Sequence, residues 1–130
     1  MSTTTAEPVE KGMETKIILR FNEAEIENCS ALFELDSPAT GPELLAMGVI
    51  LTALHQKLPG EGARSVSHLF EFLAPIDIDD ELQISLAVEK RETAKNLATI
   101  KVNVVNQSGV QVLTGRAVML LTKNNPVSTL

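Results

Sequence analysis

The side chains able to move a proton or form a covalent bond are few in this 130-residue chain, and they are scattered. The carboxylates to weigh for acid–base work are Asp36, in the segment ELDSPAT, and Glu43, in GPELLAMG. Each also has a plain structural reading. Asp36 is a turn-forming residue type beside Ser37 and Pro38, and Glu43 falls where a helix N-terminus stabilises negative charge. The chain has two histidines. His55 falls near the end of a helical pattern, where a cation is favoured. His68 alternates with Phe70 and Phe72, as a core or interface histidine would, and no second histidine stands beside it to build a metal site. The single cysteine, Cys29, occupies an apolar position and reads as a buried, inert thiol. No Gly-rich phosphate loop, Ser-His-Asp order or CxxC spacing is present, so no cofactor is expected.

The element that must position these groups is Gly41–Gly60, GPELLAMGVILTALHQKLPG. It reads as one helix from Pro42 to Lys57, apolar on nearly every face, spanning roughly 24 Å. Such a helix must be wrapped by the rest of the protein. Pro42 suits the first turn, and Leu58-Pro59-Gly60 ends it. Gly48 at its middle costs about 1 kcal/mol against alanine, which is accounted for if a backbone or a ligand lies close against that turn.

Ahead of this helix, KIILRF (Lys16–Phe21) is a strand, and Asn22 caps a short amphipathic helix carrying Ile26, Cys29, Leu32 and Phe33. After Gly60 the period changes to two. Arg64–Ile76 alternates through Val66, His68, Phe70 and Phe72. Leu82–Lys90 follows with Leu82, Ile84, Leu86 and Val88 on one side, then RETAKN turns the chain. Leu97–Asn106 alternates through Ile100, Val102 and Val104. Gly109 supplies the positive φ of the next turn, and Val110–Leu121 closes the sheet with Gly115 as a possible bulge. The economical arrangement is α+β: a curved antiparallel sheet around the central helix. Its open edge favours dimerisation through an edge strand.

Length implies one domain, here residues 14–122, between a disordered tail at 1–13 and a loose tail at 123–130. The formal charge of −6 with dispersed basic residues, and the absence of Trp and Tyr, exclude a nucleic-acid interface. No apolar run is long enough for a transmembrane helix, and MSTTTAEPVEKG is not a secretory signal. With one cysteine, a cytoplasmic protein that binds no membrane is expected.

Several motifs agree in order with a known family. LPGEGARSVSHLFEFLAPIDIDDEL resembles its LPG turn, strand, F-x-x-P and acidic G-D-x-L corner, with Asp79 in place of the corner glycine. NQSGVQVLTGRAVMLL resembles its closing strand, and FNEAEIENCSALFELDSP its F-T-x-x-D-I-x-x-F-A-x-L-S-G-D-x-N-P-x-H segment. Over residues 16–121 the chain resembles the MaoC-like hydratases of the hotdog fold, which include the (R)-specific enoyl-CoA hydratases. The resemblance implies a helix wrapped by an antiparallel sheet, normally dimeric, with acyl-thioester sites at the dimer interface.

The catalytic motif departs from the pattern. Pro38 falls on the motif's proline and Ser37 on its asparagine, so the hydratase's aspartate falls on Leu35 and its histidine on Thr40. Neither side chain can activate water as that pair does. A one-residue slip puts Asp36 on the aspartate and still supplies no histidine. The segment that covers the acyl pocket in the family is missing between Thr40 and Gly41-Pro42-Glu43. The family's histidine–glycine pair, whose glycine N–H holds the thioester carbonyl, falls on Pro42 and Glu43; Pro42 has no N–H, and Gly41 could serve instead. Thr40, Gly41, Gly48 and His68 are therefore the expected substrate contacts, and Lys57, Arg64 and Arg116 could meet CoA phosphates.

Three readings follow. The leading one is a MaoC-like chain that binds acyl-CoA or acyl-ACP without hydratase activity, as a homodimer or as the non-catalytic member of a heterodimer with another hotdog chain. The second is a thioesterase of this fold using Glu43 or Asp36 as base or nucleophile. The third is an active hydratase or dehydratase with rearranged residues.

Overall fold

A computed structural model describes residues 8–35 and 40–122. The elements run β1 (Glu14–Leu19), α1 (Glu23–Phe33), α2 (Thr40–Gln56), β2 (Ala63–Phe72), β3 (Leu82–Glu92), β4 (Leu97–Val105) and β5 (Gln111–Leu121), with a 3-10 turn at Thr93–Lys95 between β3 and β4. The strands form one antiparallel sheet in the order β1-β3-β4-β5-β2. The expected α+β hotdog architecture is thus present, a sheet against one long helix.

Period-two patterning fixes the sheet's inner face. Leu82, Ile84, Leu86 and Val88 of β3 and Ala98, Ile100, Val102 and Val104 of β4 are buried, while the residues between them are partly exposed. They share one core with Val112, Leu113, Ala117 and Met119 of β5 and with Ala46, Ile50, Ala53 and Leu54 of α2. α2 ends where the LPG stop requires. The Lys57 and Leu58 N–H groups both reach the Ala53 carbonyl, and Gly60, at φ 100°, donates to the Leu54 carbonyl at 3.1 Å.

The structure corrects four expectations. α2 is not wrapped on all sides: its Gly48 turn is exposed, and Leu44, Leu45 and Val49 are only half-buried. Gly115 is not a bulge but pairs in register with Phe70 and Val102. One of the sheet's register shifts lies instead between Ser65 and Ser67. It removes Val66 from the inward-facing set and leaves it 57% exposed. Finally, residues 9–13, assigned to a tail by the sequence, lie against the domain. Val9 and Met13 pack on the core, the Gly12 N–H donates to the Val88 carbonyl at 2.9 Å, and the Val88 N–H donates to Met13 at 2.8 Å.

Candidate functional site

The site is built where α1 meets the start of α2. Asn22 and Glu25 form a reciprocal capping box: the Glu25 N–H donates to Asn22 Oδ1 at 2.8 Å, and the Asn22 N–H donates to Glu25 Oε1 at 2.9 Å. α1 stops at Glu34, which takes a left-handed conformation at φ 53°. The Leu35 N–H then bonds back to the Ser30 carbonyl at 2.9 Å. Gly41 lies hard against α1. A Cβ there would stand 3.1 Å from Ser30 Oγ and 3.2 Å from Ile26 Cγ2, and the Cys29 thiol sits 3.9 Å from the Gly41 carbonyl oxygen. Its glycine is required by helix packing, and Gly41 and Pro42 are both buried.

Beyond this contact the two helices diverge around an open apolar groove of about 480 Å³. Leu44, Leu45, Gly48, Val49 and Thr52 form the α2 wall; Cys29 and Phe33 of α1 and the preceding Phe21 complete it. A second groove of about 350 Å³ shares Phe21, Cys29, Phe33 and Leu45 and continues to Leu32, Asn28 and Glu25. Thr52 Oγ1 donates to the Gly48 carbonyl at 2.8 Å, so its hydroxyl is already satisfied. The first groove therefore has no charged lining residue and a single hydroxyl, turned onto its own helix.

The expected site residues fall into two groups. Thr40, Gly41 and Glu43 sit together in the first turn of α2, and Gly48 lies two turns on, in the groove wall. Nothing stands within 4 Å of where a Gly48 Cβ would be, so no part of this chain makes the close approach expected there. Glu43 is half-buried and lines neither groove. Asp36 lies outside the described residues.

His68 is placed elsewhere, on β2 near the last turn of α2, roughly 20 Å along the helix from Gly41 at 1.5 Å per residue. It is exposed, not a core histidine, and its ring stacks on Phe70 with centroids 5.6 Å apart. Partial burial, and then the neighbouring His55, hold its pKa below the ordinary imidazole value. His55 uses both ring nitrogens, Nδ1 at 3.1 Å from the Ala63 carbonyl and Nε2 at 3.1 Å from Ser65 Oγ. Arg116 is engaged by Glu89, with Nε–Oε2 at 2.6 Å; Lys57 and Arg64 are exposed.

No family model matches this sequence, and no curated protein does. Solved structures do. The chain superposes on an (R)-hydratase from A. caviae involved in PHA biosynthesis with a TM-score of 0.79 and 25% identity, over 89% of this chain and 99% of that one. The chain has the hotdog fold and is similar in structure to the (R)-hydratases. A second hotdog structure, the unliganded R-hydratase PhaJ1 from Pseudomonas aeruginosa, matches at TM-score 0.77 and 22% identity over 88% and 83% of the two chains. A third, the ChsH1-ChsH2 complex from Mycobacterium tuberculosis, matches at 0.65 and 17% over 86% and 98%. Among the described residues no helix is long and apolar enough to cross a membrane.

Sequence reasoning missed the groove itself. Leu44, Leu45, Val49, Phe21 and Phe33 are ordinary core types, and nothing in their identity marks them as lining open space. The available signal was that α2 is apolar on nearly every face while one sheet and one short helix flank it.

Proposed function

We propose that this hotdog chain binds the acyl group of an acyl-thioester, carried by CoA or by an acyl-carrier protein, and does not by itself hydrate an enoyl-thioester. It serves as a non-catalytic or divergent subunit of a hydratase or dehydratase, paired with a second hotdog chain, identical or not. The observation that carries this reading is chemical. By the motif resemblance, the positions of the water-activating pair fall on Leu35, just after α1, and on Thr40, the first residue of α2. A leucine transfers no proton, and a threonine hydroxyl is a poor base at neutral pH. The neighbouring groove retains apolar walls suited to hydrocarbon.

Pairing is supported by the outermost strands. Among the described residues β1 and β2 each have a strand on one side only. A comparable two-chain assembly, the ChsH1-ChsH2 complex, has this fold.

The test is direct. The chain purified alone is expected to leave the absorbance of crotonyl-CoA unchanged in a hydration assay. Robust turnover that persists in Thr40→Ala would overturn the assignment.

A further inference from the structure

The dimensions of the α1–α2 groove bear on which acyl group it takes. From Leu44 to Thr52 its α2 wall runs about 12 Å at 1.5 Å per residue. A volume of about 480 Å³ holds on the order of fifteen heavy atoms at the ~30 Å³ of a liquid water. An extended four-carbon acyl group is only about 4 Å end to end with bonds of ~1.5 Å, and would leave most of that wall wet. The groove also continues past Leu45 toward Leu32 and Phe33, which are 75% and 58% exposed.

The walls admit hydrocarbon and little else. The Thr52 hydroxyl is spent on the Gly48 carbonyl, and the Cys29 thiol faces the Gly41 carbonyl. Polar side chains enter only at the far end of the second groove, where Glu25 is already held by the Asn22 N–H. A hydroxylated or charged tail would leave its polar atoms without partners along this path. Gly48 leaves room in the groove wall: a side chain there would meet no protein atom within 4 Å and would project into the groove.

We propose that the groove between α1 and α2 selects a long, unsubstituted hydrocarbon acyl group, about twelve carbons in length, and that the absence of a side chain at Gly48 keeps its path open. This rests on the acyl-thioester reading above and gives it a chain-length preference.

The experiment is a titration of the full chain with butyryl-CoA, dodecanoyl-CoA and dodecanoyl-ACP, repeated with Gly48→Leu. Each methylene buried is worth roughly fourfold in affinity. Partial burial of eight more methylenes therefore predicts a preference on the order of 100-fold for twelve carbons over four. Gly48→Leu is expected to collapse that ratio. Replacing a mid-helix glycine by a strong helix former raises helix propensity, so a thermal midpoint at or above the parent's shows that the fold is intact. Tight binding of dodecanoyl-CoA but not dodecanoyl-ACP, or the reverse, names the carrier while supporting the preference. Butyryl and dodecanoyl thioesters binding alike, or a ratio untouched by Gly48→Leu, would overturn the proposal and leave the acyl-thioester reading standing. Failure of every thioester to bind would overturn both.

Discussion

Gly115 of β5 lies directly against Phe70 of β2. A Cβ at position 115 would collide with the Phe70 ring and with the Leu69 carbonyl oxygen. The obstacle is partly backbone, so a rotamer change cannot relieve it. Gly115→Ala is expected to destabilise the fold by about 2–3 kcal/mol through overpacking and to loosen β2 first. Urea unfolding gives the loss, and hydrogen exchange shows where it falls. A change within about 0.5 kcal/mol would contradict the contact.

Arg91 ties the N-terminal segment to the β3–β4 turn. Its Nε donates to the Val9 carbonyl at 3.0 Å, Nη1 to the Glu92 and Leu97 carbonyls at 3.2 and 3.0 Å, and Nη2 to Asn96 Oδ1 at 3.2 Å. Arg91→Ala leaves these acceptors without that partner and should cost about 2–3 kcal/mol. Proteolysis after residue 9 should accelerate with it. Arg91→Lys should recover only part, because an ammonium cannot span the fork. Full recovery by lysine would show that charge alone matters.

The capping box can be tested as a pair. Asn22→Ala is expected to cost about 1 kcal/mol, and the Asn22→Ala, Glu25→Ala double variant less than the sum of the single changes. Strict additivity in thermal or urea denaturation would mean that the two bonds do not act together.

His68 predicts a pH dependence of stability. Burial holds its folded pKa below the ordinary value of 6.5, so the unfolded chain binds the proton more tightly. Stability from this group is complete above pH 6.5 and declines as pH falls through 6.5 toward the folded pKa. His68→Phe keeps a ring to stack on Phe70 and should flatten that part of the profile. A parent and variant with parallel profiles between pH 7 and 5 would exclude the effect.

Glu43 offers a check on the thioesterase alternative. It lines neither groove, so free-thiol release from butyryl-, dodecanoyl- and benzoyl-CoA is expected to stay at background. Release abolished by Glu43→Ala would reinstate the thioesterase reading.

Much of this architecture could be read from residue order. The alternation in β3 and β4, the Asn22 cap, the LPG stop and the positive φ of Gly109 each depend on interactions a few residues apart, or on a face whose period is visible in the string. What escaped was set by distant parts of the chain. The Ser65/Ser67 bulge depends on how β2 meets β5, about fifty residues later. Nothing local to Gly41 reveals that Ile26 and Ser30 press on it. Gly48 reads in the sequence as a point of close approach, but no part of this chain comes within 4 Å of where its Cβ would be.

The strand order β1-β3-β4-β5-β2 also carries a kinetic consequence. β3, β4 and β5 are joined by short turns and can zip together locally. β1 and β2 must instead wait for partners made much later, across long loop closures that slow assembly. During synthesis the apolar α2 therefore emerges before β2 to β5, four of the five strands of its sheet, and must stay soluble until residue 121 has been added. Pulse-labelled hydrogen exchange during refolding should find β3–β5 amides protected ahead of those in β1 and β2. Simultaneous protection of all five strands would show that the edges close with the centre.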